Sequence, residues 1–176
     1  VAAAVAGVAW IAAPRGVPGR AAAPLLFLPL FALRPDPPEP GSFVLTVLDV
    51  GQGLAAVVRT HAHALVYDAG PRYTDDADAG GRIVAPYLRA AGVRALDTLV
   101  VSHLDTDHSG GARTLLQTVP VGDLTTSVAA DAGVLGAGGS ATGDAVERET
   151  RADGIAHRRC ERGQRWEWDG VRFEVL

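Results

Sequence analysis

A chain of 176 residues has room for one domain and a little more, and with 48% apolar residues it can bury a core, which excludes a disordered chain. All 16 basic residues are arginine, and the net charge of −4 argues against a strongly basic nucleic-acid module, though not against DNA reached through a metal site. The single cysteine, Cys160, excludes an internal disulfide and a cysteine-based zinc cluster.

Residues 1–33 stand apart from the rest. Val1 to Ala13 and Ala21 to Leu33 are apolar runs of 13 residues each, separated by the polar break Arg15 to Arg20. Each is shorter than the roughly 20 residues that span a bilayer. The first can be the tail of a spanning helix, and the second, broken by Pro24 and Pro29, an interfacial segment; a buried core helix and a secretory leader are the rival readings. We expect a membrane-associated segment over 1–33. Arg15 and Arg20 outnumber Arg34, so the positive-inside rule places the chain after Leu33 outside the cytoplasm. Pro35, Pro37, Pro38 and Pro40 make 34–41 a stiff linker, and the domain boundary is placed there.

From residue 42 the pattern becomes α/β. Phe43–Val50, Leu54–Arg59 and Ala64–Asp68 read as strands, and Arg72–Gly80 as an acidic loop. Arg82–Ala91 has helical spacing and Gly92 as its stop. Leu96–Val101 is a buried strand, and Ser109 can cap a helix reaching about Thr118. Asp131–Gly143 reads as a flexible loop. Arg165–Val175 reads as a hairpin turning at Asp169-Gly170, with Trp166, Trp168, Val171, Phe173 and Val175 as its apolar positions. The sequence starts without a methionine and stops within an apparent strand, Val171 to Leu176, so we expect a fragment.

The chemistry concentrates in Ser102-His103-Leu104-Asp105-Thr106-Asp107-His108-Ser109-Gly110-Gly111. His103, Asp105, Asp107 and His108 place four candidate ligands of a divalent ion in six residues directly after a buried strand. Two carboxylates this close repel each other; a dication turns that repulsion into affinity and acidifies water. A solvated polar turn is the bland alternative. Asp49, in Leu48-Asp49-Val50-Gly51-Gln52-Gly53, can support the ligands or cap a turn. The two glycines are too short a match for a phosphate-binding loop. Asp68, in Tyr67-Asp68-Ala69-Gly70, can be the buried partner of a metal-bound histidine or an Asx-turn acceptor. His61 and His63 sit in a hairpin turn and are expected to be exposed. His157 with Arg158, Arg159, Arg162 and Arg165, followed by Trp166 and Trp168, has the composition of a single-strand DNA patch, but the hairpin alternation argues that both tryptophans are core.

Taken in order, these three motifs resemble the metallo-β-lactamase-fold domain of ComEC-type competence proteins, over about 43–176. The resemblance implies an αββα sandwich, of which this chain carries the N-terminal half, preceded by the end of a membrane region. It implies an inner-membrane DNA-uptake channel whose hydrolase domain, outside the cytoplasm, degrades the strand that is not imported. By position His103, Asp105, Asp107 and His108 match the metal loop, and Asp49 and Asp68 match the strand-end aspartates; if the domain is a hydrolase, Asp107 is expected to help orient the attacking water. Many members read His-x-His-x-Asp-His; Asp105 in place of the second histidine favours manganese or magnesium over zinc. Expected partners are DNA, the membrane and other competence proteins. The alternatives are a truncated, non-catalytic transport or gating module and a different hydrolase of the same fold.

Overall fold

The computed structural model describes residues 2–14, 16–29, 35–127 and 155–176. The loop expected over Asp131–Gly143 lies outside them. The chain divides into two compact units, Val1–Asp36 and Pro37–Leu176. In the first, the alanine-rich helix α1 (Ala2–Ala12) is followed by a 3-10 helix over Arg20–Phe27, with Pro24 inside it. Gly7 is buried, and a β-carbon there would come within 3.0 Å of the Phe27 ring, so the glycine lets the two helices approach closely. Among the described residues no helix is long and apolar enough to cross a membrane.

The second unit is built on a six-stranded sheet. Its strands are β1 (Val44–Val47), β2 (Ala56–Arg59), β3 (Ala64–Tyr67), β6 (Leu96–Val101), β7 (Val121–Thr126) and β8 (Ala156–Arg159), in that spatial order. The pairs β1/β2 and β2/β3 are antiparallel, whereas β3/β6, β6/β7 and β7/β8 are parallel. Parallel pairs need crossovers, and helices supply those from β3 to β6 and from β6 to β7. A π-helical turn over Gly80–Val84 runs into α2 (Ala85–Ala90), with Pro86 near the junction. After β6 come α3 (Thr106–Ser109) and α4 (Ala112–Thr118).

Register explains the core. Val57 faces Val66, Val66 faces Leu99, and Leu99 faces Leu124, so one row of β-branched and leucine side chains crosses the sheet on one face. Leu88 and Leu115, from α2 and α4, are fully buried in the same cluster. Each such side chain contributes about 1.5–3 kcal/mol by leaving water. On that face Thr46 Oγ1 meets the Tyr87 hydroxyl at 2.7 Å, and Arg59 donates to the Ala91 carbonyl at 3.0 Å.

Several sequence expectations need correction. The stretch read as an acidic loop holds a small antiparallel hairpin, β4 (Arg72–Thr74) and β5 (Ala77–Asp78). The Asp78 carboxylate fixes it by accepting from Thr114 Oγ1 and from the Gly81 amide at 2.8 Å. Ser109 caps no helix: its hydroxyl donates back to the carbonyls of Leu104 and Asp105, and Gly111 precedes α4 instead. The strands expected at 43–50 and 54–59 are shorter, because Leu48 to Ala55 turns toward the motif loop. β7 and β8 were not anticipated. The C-terminal hairpin forms as expected, β9 (Arg165–Trp168) with β10 (Val171–Glu174), turning at Asp169 and Gly170, both at positive φ (52° and 84°). That is the conformation a two-residue hairpin turn requires.

Candidate metal centre

Because β3 and β6 are parallel and Tyr67 lies opposite Val100, the two strands leave the sheet at the same edge. Asp68 ends one and Ser102-His103 begins the loop after the other, so two segments distant in sequence meet by topology alone. This is the carboxyl edge of parallel strands, where α/β proteins place their ligands.

Asp68 is completely buried and sits at φ 58°, a left-handed conformation that aspartate tolerates better than most residues. Its Oδ1 accepts from the Ser102 amide at 2.7 Å, and its Oδ2 accepts from the Ser102 hydroxyl and from His108 Nδ1, both at 2.7 Å. Burial, and in smaller part the same carboxylate, pushes the phenol of the neighbouring Tyr67 up. The Ser102 hydroxyl also lies 2.9 Å from His103 Nδ1. With both Nδ1 atoms engaged inside the protein, each imidazole keeps Nε2 for a ligand.

The ligand-bearing atoms of His103, Asp107 and His108 lie within 4.8 Å of one another. His108 Nε2 is 3.7 Å from Asp107 Oδ2, and the rings of His103 and His108 are 4.1 Å apart between centroids. Two imidazoles and a carboxylate, half-buried and anchored from behind, suit a divalent transition-metal ion. Asp105 stands outside this set of three. Its carboxylate is 79% exposed, 3.5 Å from His103 Nε2, while its backbone carbonyl accepts from the amides of His108 and Ser109. Asp49 does not join the set either: it is exposed, and its Oδ1 accepts from the Gly51 amide at 3.2 Å, the geometry of a turn cap.

Close backbone approach holds the loop in place. The Leu54 amide donates to the Asp107 carbonyl at 3.2 Å, and the Ala69 amide to the His108 carbonyl at 2.7 Å. Gly53 lies so near that a β-carbon would overlap the Asp107 carbonyl oxygen. A β-carbon on Gly111 would meet Ala69 and Gly80, and one on Gly110 would meet the Arg72 amide. The glycines of both motifs therefore let the strand-end loops close on the ligands.

The other histidines do different work. His63 is half-buried rather than exposed: it stacks on Trp168 at 5.1 Å and its Nδ1 lies 3.1 Å from Asp169. His61 Nδ1 bonds the Pro38 carbonyl, and His157 Nε2 bonds Thr126 Oγ1. Trp166 and Trp168 share a face of the hairpin with Phe173, and the stack of Trp166 on Phe173 uses the ring surface a base would need. Arg158 pairs with Asp123 at 2.9 Å and Arg165 with Glu174 at 2.8 Å. Ser102 was missed by the sequence reading. Its only signal was its place between strand and histidine, which any loop serine could occupy.

Residues 48–170 match the model of the Metallo-beta-lactamase superfamily. The chain is 37% identical over 163 residues to Competence protein ComA of Neisseria gonorrhoeae, an alignment covering 93% of this chain and 19% of that protein. It is 32% identical over 130 residues to Recombination protein 2 of Haemophilus influenzae, covering 73% of this chain and 14% of that protein. It is 27% identical over 138 residues to the uncharacterized protein YcaI of Escherichia coli K12, covering 78% and 15%. The chain thus spans a fifth or less of the length of these relatives.

Proposed function

The chain belongs to the metallo-beta-lactamase superfamily, its domain is of the ComEC type, and on that premise we propose that it serves DNA uptake as a metal-dependent phosphodiesterase module. The observation that carries this reading is the convergence of His103, Asp107 and His108 within 4.8 Å, backed by the buried Asp68. His103, Asp107 and His108 hold the ion, Asp105 beside His103 can add a fourth ligand through its carboxylate oxygen, and manganese is the ion we favour, with zinc and magnesium as alternatives. When bound, the ion supplies Lewis-acid stabilisation of charge developing on a phosphoryl oxygen and acidifies water. The residues of the chain do the rest. Asp107, 40% exposed on its side chain, would orient a water, and the Asp68 carboxylate would keep the His108 ring from turning. We place the whole protein in the inner membrane with this domain outside the cytoplasm, acting on DNA alongside other competence proteins.

Titration of the chain with Mn2+ or Zn2+, followed by cleavage assays on single-stranded and duplex DNA, tests the proposal. Metal-dependent cleavage that His103→Ala combined with Asp107→Ala abolishes is the expected result. Metal binding without cleavage would point to the gating module, and cleavage that survives the double substitution would overturn the assignment of the site.

A further inference from the structure

We infer that Ser102 is a positioning residue that ties both histidines to one carboxylate, an inference that rests on the metal-holding role proposed above. The hydroxyl has one proton and two neighbours, Asp68 Oδ2 at 2.7 Å and His103 Nδ1 at 2.9 Å. A carboxylate only accepts, and it is the stronger and nearer acceptor, so the serine proton goes to Asp68. The serine oxygen must then accept from His103, which puts the His103 proton on Nδ1. His108 donates its own Nδ1 proton to the same Oδ2. One buried carboxylate thereby sets the tautomer of both rings, His108 directly and His103 through Ser102, and leaves both Nε2 atoms as lone-pair donors. Ser102 itself is fixed on both sides, its amide on Asp68 Oδ1 and its carbonyl accepting from the Ser127 hydroxyl. Its backbone is therefore held by contacts that survive loss of the hydroxyl.

The test uses the 176-residue chain labelled with 15N-histidine, free of metal, at a pH where the rings are neutral. Long-range 1H–15N correlations, assigned with His103→Gln and His108→Gln, report the tautomer of each ring. Wild type should show both rings protonated at Nδ1. Ser102→Ala should leave His108 unchanged and release His103 into a mixture of tautomers, while Ser102→Thr should keep the wild-type pattern. Mn2+ affinity should fall about tenfold in Ser102→Ala, the lower end of the usual loss when a ligand's supporting hydrogen bond is removed, and recover in Ser102→Thr. A wild-type His103 protonated at Nε2 would overturn the inference without any variant having to fold. So would a His103 tautomer or metal affinity that Ser102→Ala leaves untouched. If wild type binds no metal, the functional reading fails, while the tautomer of His103 still decides the coupling.

Discussion

Three donors converge on the Asp68 carboxylate from two directions, and no donor of its own would fit among them. Asp68→Asn keeps the shape and the left-handed backbone but turns one oxygen into an NH2 group facing donors. Asp68→Ala leaves all three without their partner in a buried site. Unsatisfied buried donors cost about 1–3 kcal/mol each. We expect Asp68→Ala to lower the unfolding free energy by about 3 kcal/mol and Asp68→Asn by less, because the Ser102 hydroxyl and the His108 ring can reorient. Urea titration of the metal-free chain measures it; equal stability of Asp68→Ala and wild type would refute the account. At Gly53 the constraint is steric. Its φ of 131° is closed to L side chains, and a β-carbon would collide with the Asp107 carbonyl. Gly53→Ala should destabilise by about 1–3 kcal/mol and weaken metal binding by moving Asp107, which calorimetric Mn2+ titration would show. A variant with wild-type affinity would mean that the 51–54 loop does not place the ligand.

Among the elements, the C-terminal hairpin is tied to the β2–β3 turn by the polar contacts of Asp169, beside the stack of Trp168 on His63. Asp169 accepts from Thr60 Oγ1 at 2.6 Å, from the Ala62 amide at 2.7 Å and from His63, while its carbonyl accepts from the Gly41 amide. The Thr60 hydroxyl first, then the Ala62 amide and His63, hold its carboxyl well below the usual carboxylate range. An acid depressed in the folded state contributes stability that is fully present above its unfolded pKa of about 3.9 and fades as pH falls toward the folded value. Asp169→Ala should therefore flatten the acid limb of stability below about pH 4. The fluorescence of Trp166 and Trp168 reports it, and parallel acid limbs in variant and wild type would sink the claim. The sequence showed the hairpin and its Asp-Gly turn, because alternation and turn chemistry are local. It did not show where the turn docks, since Thr60 and His63 are more than a hundred positions away. β8 was equally illegible. Ala156–Arg159 has no apolar alternation, and it is a strand because β7 offers it a parallel edge. β7 itself, with Gly122, Asp123 and two threonines, carries too little apolar signal to stand out from a loop.

At the scale of the whole second unit, the metal loop was legible because its ligands lie within six residues, while the support was not, because the Asp68 to Ser102 contact exists only once β3 and β6 run parallel. The same sheet explains how this unit should behave in solution. Helices cover the face that carries Thr46 and Val57. Leu45 and Val47 point to the other face from β1, at the sheet's edge, and are 55% and 64% exposed, with Phe43 at 55% just before them. A strand edge with unpaired amides beside an exposed apolar row is a template for association. Residues 41–176 should therefore self-associate at micromolar concentration. Leu45→Lys with Val47→Lys should restore a monomer without loss of secondary structure, since neither side chain belongs to the buried cluster. Sedimentation velocity with circular dichroism checks both parts. A wild-type 41–176 that sediments as a monomer would show that the β1 face does not drive association, and a double variant that unfolds would show that Leu45 and Val47 support the sheet rather than merely border it.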